Sequence, residues 1–192
     1  MFRQSLNGVR VFDPCSNWLH AAQKLFRPYL PKIAYGCLAQ LYNLSVGAYR
    51  VGLGAYFAMQ RLSTSPIDDL AAQAFSLPML KHPVWLRPGT PDFHEVLHTV
   101  IRANYGRWLP PEPVRLIIDA GAYIGETTVW YLSRFPGATV IALEPNPRSF
   151  AMLERNCREY GARAVLIRGA LWLRRALLEV DDGSSGTTDS SV

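Results

Sequence analysis

Residues 115 to 146 constrain this chain more than any other stretch, because they run strand, glycine turn, helix and strand in the order of a nucleotide-binding βαβ unit. The apolar run Val114-Arg115-Leu116-Ile117-Ile118 ends in Asp119, and the turn Asp119-Ala120-Gly121-Ala122-Tyr123-Ile124-Gly125 opens a helix. Leu116 to Ile118 favour β structure, Gly121 permits a sharp exit from the strand, and Gly125 lets the helix beginning near Glu126 sit close to the sheet. That helix is expected to pass through Trp130, Tyr131 and Leu132 and to stop near Phe135-Pro136-Gly137. A second strand, Ala138 to Leu143, then ends in Glu144, which lies 19 residues beyond Gly125. A carboxylate about 20 residues past a glycine turn is suited to grip a ribose diol, since it accepts hydrogen bonds from both hydroxyls.

Tyr123 and Glu126 narrow the choice of nucleotide. A dinucleotide fingerprint wants glycine at both positions, so that the backbone can approach a pyrophosphate on the helix N-terminus. Here that group would meet a bulky ring and then a carboxylate. S-adenosylmethionine has no phosphate, carries a positive sulfonium and ammonium, and still needs its ribose held. Acidic Asp119, Glu126 and Glu144 suit such a ligand.

Pro83-Val84-Trp85-Leu86-Arg87-Pro88-Gly89-Thr90-Pro91-Asp92, the turn from Ile118 to Gly125, Phe135-Pro136 and Glu144-Pro145-Asn146-Pro147 together resemble the FkbM family of S-adenosylmethionine-dependent methyltransferases. The likeness covers about residues 80 to 175 and extends to Asn156 and Gly169-Ala170-Leu171. It implies an α/β fold, the N-terminal half of a Rossmann-like methyltransferase sheet, acting on hydroxyl oxygens of small molecules, sugars or lipids in biosynthesis. By the same resemblance, Asp119, Gly121 and Gly125 line the methionine end of the cofactor and Glu144 its ribose. Tyr123, Glu126, Asn146, Thr90 and Asp92 complete the candidate cofactor-binding set. Arg87, Thr90 and Asp92 occupy family-motif positions that shape or cover this site, and Gly89 makes the turn before a Thr90-capped helix. The family commonly carries Asn at the position of Tyr123. No catalytic residue is identified; His94, His98 and Asp92 are the groups nearest in sequence that could serve as a base.

A third strand reads at Ala164 to Arg168, after a helix from about Arg148 to Tyr160 that closes at Gly161. From Asp181 to Val192 the chain is a polar Gly/Ser/Thr tail with too little apolar surface to fold. The fourth strand that the family resemblance implies, and those after it, are missing. The expectation is therefore a C-terminally truncated or frameshifted methyltransferase, with three parts: a helical extension over 1–80, a partial cofactor-binding domain over 81–180, and a disordered tail over 181–192. In the implied strand order the first strand becomes an exposed, association-prone edge.

The net charge of +5 comes from 17 Arg and 3 Lys spread without a dense basic block. Arg-rich segments such as Arg155 to Arg163 read as solvated faces, and no DNA- or RNA-binding motif accompanies them. Cys15, Cys37 and Cys157 are odd in number and widely spaced, which supports neither a disulfide framework nor a cysteine zinc site. A reducing compartment, the cytoplasm, is the simplest reading.

Tyr35, Tyr42, Tyr49 and Tyr56 recur every seven residues, a step that returns to nearly the same helix face. The spacing predicts a helix from about Ile33 to Leu62 with a tyrosine stripe. That stripe suits packing on its own domain, homo-oligomer formation through residues 33–62, or peripheral membrane contact. Residues 33–49 carry no charge, yet 17 residues are at the short limit for a span and Gln40, Asn43 and Ser45 interrupt them. Arg50 inside a longer span would cost about 2.5 kcal/mol or more. An interfacial helix is thus favoured over a crossing. The N-terminus, MFRQSLNGVRVFDP, has no apolar core adequate for a secretory signal.

Two rival functions come from other classes. His94-Glu95-Val96-Leu97-His98 matches the HExxH pattern of zinc peptidases, with Glu95 as the general base. No third histidine follows at the metzincin spacing, and Phe93, Val96, Leu97, Val100 and Ile101 already give the helix an apolar face. The other rival is non-enzymatic: a half-sheet kept as a binding or assembly element.

Overall fold

Among the described residues, two sheets carry the fold. β1 (Gln73–Phe75) and β2 (Val84–Leu86) pair antiparallel, Ala74 opposite Trp85. β3 (Leu116–Ala120), β4 (Thr139–Leu143) and β5 (Ala164–Ile167) form a parallel sheet in the order β3-β4-β5, with Ile118 opposite Ile141 and Ala142 opposite Leu166. The computed structural model describes residues 32–108 and 113–172. The chain divides into two compact units, Met1–Asn43 and Leu44–Val192, and both sheets belong to the second.

The helices that matter for the site connect these strands. α1 (Lys32–Val51), α2 (Leu53–Ser63) and the short α3 (Asp92–Val96) precede the parallel sheet. α4 (Glu126–Arg134) links β3 to β4, and α5 (Pro147–Cys157) leads towards β5. Both crossovers step in the same direction across the sheet, so right-handed connections place both helices on one face. Val129 and Leu132 of α4, Leu153 and Cys157 of α5, and Val140 and Ala142 of β4 make the buried cluster there. The strand period of two turns the alternate residues outward: Leu116 and Ile118 are 57% and 60% exposed.

Local chemistry sets the boundaries. α4 stops at Arg134, ahead of Phe135-Pro136. α5 begins with Pro147 in its first turn and Asn146 as its cap, the Asn146 side-chain oxygen accepting from the N–H groups of Arg148 (2.9 Å) and Ser149 (3.1 Å). It ends at Cys157, short of the expected Tyr160, and continues as a tighter turn over Arg158–Arg163 in which Gly161 leaves helical geometry.

The N-terminal helix departs from expectation. A single helix over 33–62 is broken at Gly52, whose φ of 85° and ψ of 151° no α-helix contains. The stripe is therefore interrupted: beyond the break Tyr56 is 5% exposed and meets Phe93 edge-on at 5.5 Å, while before it Tyr42 is buried and Tyr49 is 85% exposed. Among the described residues no helix is long and apolar enough to cross a membrane. Cys37 is exposed and Cys157 buried, each unpaired. Cys15, the N-terminal segment and the tail from 181 lie outside the described residues.

Candidate functional site

The carboxyl ends of β3 and β4 face the same loops. After Ala120 the chain turns sharply, and the N–H groups of Gly121 and Ala122 both donate to the carbonyl of Leu143, at 2.9 Å each. The next residue on β4's side is Glu144, only 7% exposed. One of its carboxylate oxygens accepts from the N–H of Tyr123 (2.9 Å) and the other from the N–H of Asn146 (2.8 Å). Glu144 therefore ties the glycine turn to the start of α5, and each oxygen keeps a further lone pair for a ligand.

The two glycines of the turn differ in what surrounds them. Both have φ of 85°, the left-handed region that an L side chain enters at a cost. A Cβ on Gly121 would meet nothing within 4 Å, so the ground above the first glycine is open. A Cβ on Gly125 would fall 2.6 Å from Leu153 Cδ1. The close approach at Gly125 is thus to α5, where the sequence suggested the sheet.

Burial alters the acids. Asp119 accepts a 2.5 Å hydrogen bond from Thr128 Oγ1; burial raises its pKa, and that bond opposes the rise. Glu126 turns back onto its own backbone N–H and accepts from Thr127 Oγ1 at 3.1 Å, while its Oε2 is buried without a hydrogen-bond partner. Desolvation pushes its pKa up to about 8, with Asp119 and Glu95 adding to the rise and the Glu126 N–H and Thr127 opposing it. The side chain that reads as negative in the sequence is therefore shifted towards its protonated form near neutral pH.

Thr90 and Asp92 act through the frame of the site. Asp92, fully buried, accepts from the N–H of Arg87 (2.8 Å) and from its guanidinium, Nε at 3.1 Å and Nη2 at 2.9 Å. Thr90 Oγ1 donates to the Arg87 carbonyl at 3.0 Å. The Arg87 guanidinium lies 5.5 Å from the centre of the Tyr123 ring. Burial first, then Asp92, drives the Tyr123 pKa upward. Tyr123 itself has φ of 51°, a left-handed conformation uncommon for a residue other than glycine. Asp92 is consumed in this pair and is not free as a base.

Asn156 is a positioning residue whose role the sequence did not disclose. Its Oδ1 accepts from the Trp85 N–H (2.7 Å), and its Nδ2 donates to the carbonyls of Trp85 (3.2 Å) and Ile124 (2.8 Å). It thereby joins β2, the glycine turn and α5. A buried Asn at a helix position, surrounded by apolar spacing, is the signal that could have marked it.

The HExxH stretch spans α3 and a π turn over Leu97–Ile101, closed by the Arg102 N–H on the Leu97 carbonyl at 2.8 Å. Phe93, Val96, Leu97, Val100 and Ile101 are all at most 3% exposed, as the apolar spacing implied. His94 and His98 lie on the exposed side, and His98 Nδ1 contacts Arg102 Nη1 at 3.2 Å. Burial, then Arg102, lowers the His98 pKa. Among the described residues no three His, Cys, Asp or Glu side chains are gathered to hold a metal ion.

No protein-family profile matches the chain. No curated protein matches it in sequence. Among solved structures it resembles in part the precorrin-6y C5,15-methyltransferase of Geobacter metallireducens GS-15, at 21% identity and a TM-score of 0.32 over 36% of this chain and 37% of that one. It also resembles in part TYW2 of P. horikoshii, solved in complex with MeSAdo, at 14% identity and a TM-score of 0.38 over 77% of this chain and 62% of that one. The chain thus spans between 37% and 62% of the length of these two proteins.

Proposed function

We propose that the loops after β3 and β4 bind S-adenosylmethionine and that the chain serves a cytoplasmic methyltransferase, with a hydroxyl oxygen of a small molecule, sugar or lipid as the acceptor. One observation carries the reading: the ground over Gly121, beside the buried Glu144 carboxylate, is open, and the first residue of α4, where a pyrophosphate would rest, is the acid Glu126. An acid at that position disfavours a phosphate, and the Glu144 carboxylate can accept from a diol. The bound group would supply an electrophilic methyl on a sulfonium.

This chain's residues do the holding. Glu144 accepts from the ribose hydroxyls while keeping the Tyr123 and Asn146 N–H groups. Gly121 leaves room for the adenosyl and methionine portions, and Asp119 and Glu126 flank the cationic end. Gly125 seats the turn on Leu153. Thr90 and Asp92 hold Arg87, whose guanidinium lies over the Tyr123 ring, and Asn146 fixes the start of α5. Positioning of acceptor against donor supplies most of the expected rate gain, with a proton acceptor for the hydroxyl as the second contribution.

Equilibrium dialysis with labelled S-adenosylmethionine tests this. Saturable binding, displaced by unlabelled S-adenosylmethionine and not by NAD, is the expected result; displacement by NAD alone, or no binding by folded protein, overturns it.

A second reading, an assembly element, draws on the outward face of the parallel sheet, where Leu116, Ile118, Val165 and Ile167 are between 41% and 60% exposed. Homo-oligomer formation or peripheral membrane contact through residues 33–62 belongs to it. Concentration-dependent sedimentation together with no cofactor binding would favour it.

A further inference from the structure

Glu126 combines properties that an ordinary first residue of a helix lacks. It is 5% exposed, and its Oε2 is buried without a hydrogen-bond partner. Three elements bring titratable groups to it: Asp119 from β3, Glu95 from α3 and Cys157 from α5. Thr127 offers a hydroxyl and no charge. Among the described residues, the charges that act on Glu126 are those of two further carboxyl groups. Helix N-termini usually favour an ionised carboxylate, and here desolvation outweighs that preference. The Cys157 thiol, pushed up to about 12 by burial and then by Asp119 and Glu126, contributes no charge near neutral pH.

A buried acid with one unpartnered oxygen, among like charges, is an incomplete cation site. We infer that Glu126 is a charge-selective binding residue, which receives the cationic end of the ligand and releases its proton to solvent as it does so. The inference rests on the proposed binding of S-adenosylmethionine at this turn, whose sulfonium and ammonium are the cations required. A positive charge within about 4 to 6 Å favours the carboxylate, so docking and ionisation are linked and each promotes the other. The product of methyl transfer keeps the ammonium and loses the sulfonium charge. Glu126 consequently discriminates between donor and product, holding the donor more tightly.

Isothermal titration of the whole chain with S-adenosylmethionine, in two buffers of different ionisation enthalpy, reads the proton directly. At pH 7 on the order of one proton should be released per ligand bound, and affinity should rise by up to about tenfold per pH unit between pH 6 and 8. Glu126→Gln should bind at least about tenfold more weakly at pH 8, lose the pH slope, and show a smaller preference for S-adenosylmethionine over S-adenosylhomocysteine. Proton release that persists in the variant would point to Asp119 and overturn the inference. Wild-type binding without proton release, or a variant with unchanged affinity and slope, would overturn it while leaving the proposed function standing. If folded wild-type protein binds no S-adenosylmethionine, both fall. Should Glu126→Gln fail to fold, Asp119→Asn takes its place: proton release that persists there supports Glu126, and release that is lost overturns the inference.

Discussion

Two glycines with the same backbone angle should respond very differently to alanine. Gly121 and Gly125 both sit at φ of 85°. An L residue in this left-handed region costs about 1–2 kcal/mol, and that cost applies to both Gly121→Ala and Gly125→Ala. Only at Gly125 is there a second cost. Its Cβ would lie 2.6 Å from Leu153 Cδ1, and Leu153 is fully buried in the cluster with Val129, Val140 and Cys157, so its side chain has no open space to swing into. Overpacking of this kind costs about 1–3 kcal/mol. Urea unfolding should therefore show Gly121→Ala losing about 1–2 kcal/mol and Gly125→Ala about 2–5 kcal/mol. Leu153→Ala is itself destabilising by about 2–5 kcal/mol, but combined with Gly125→Ala it should cost less than the sum by about 1–3 kcal/mol, because the clash is gone. Equal losses for the two glycine variants, or strict additivity with Leu153→Ala, would refute the close approach to α5. The ligand readout should run the other way: Gly121→Ala puts a methyl group on the open ground and should weaken S-adenosylmethionine more than it weakens the fold.

Three further outcomes follow from the same geometry. Because the folded-state pKa of Glu126, about 8, lies above its ordinary 4.5, its favourable contribution is complete below pH 4.5 and is lost as pH rises through 8. Thermal melts of wild type should decline over that window, with a ceiling on the order of 5 kcal/mol, and Glu126→Gln should not share the decline; parallel curves would contradict it. Asp92→Ala strands the Arg87 guanidinium in a buried site and should cost about 3–5 kcal/mol by chemical denaturation, whereas an apolar replacement of both partners should recover much of the loss. Glu144→Ala leaves the N–H groups of Tyr123 and Asn146 without acceptors and should destabilise by about 2–4 kcal/mol, with Glu144→Gln milder because one oxygen remains; a silent Glu144→Ala in urea unfolding would remove its structural role.

The part of the fold that was legible in the residues is the part governed by local rules. The β-favouring run before Asp119, the glycine turn, the stop at Phe135-Pro136 and the strand ending at Leu143 all depend on near neighbours, and all appear at the expected places. The hairpin of β1 and β2 was not read, since strands of three residues are too short for periodicity and no Asn-Gly type turn joins them. The seven-residue tyrosine spacing runs through the break at Gly52, because a single glycine with φ of 85° interrupts the helix without altering the pattern on either side. At the site, residue types were visible and their states were not. Glu126 reads as an anion until its burial and its neighbours Asp119 and Glu95 are known. Asp92 reads as a free carboxylate until Arg87, five residues earlier, is seen to occupy both its oxygens. Asn156, 71 residues from Trp85 in sequence, could acquire its meaning only through tertiary contact.

The most direct test of the binding reading is a crystal structure of the chain grown with S-adenosylmethionine. Density is expected across Gly121, with both ribose hydroxyls on the Glu144 carboxylate and the sulfonium facing Glu126. Density elsewhere on the molecule, or NAD seated across Tyr123 under competition, would contradict it.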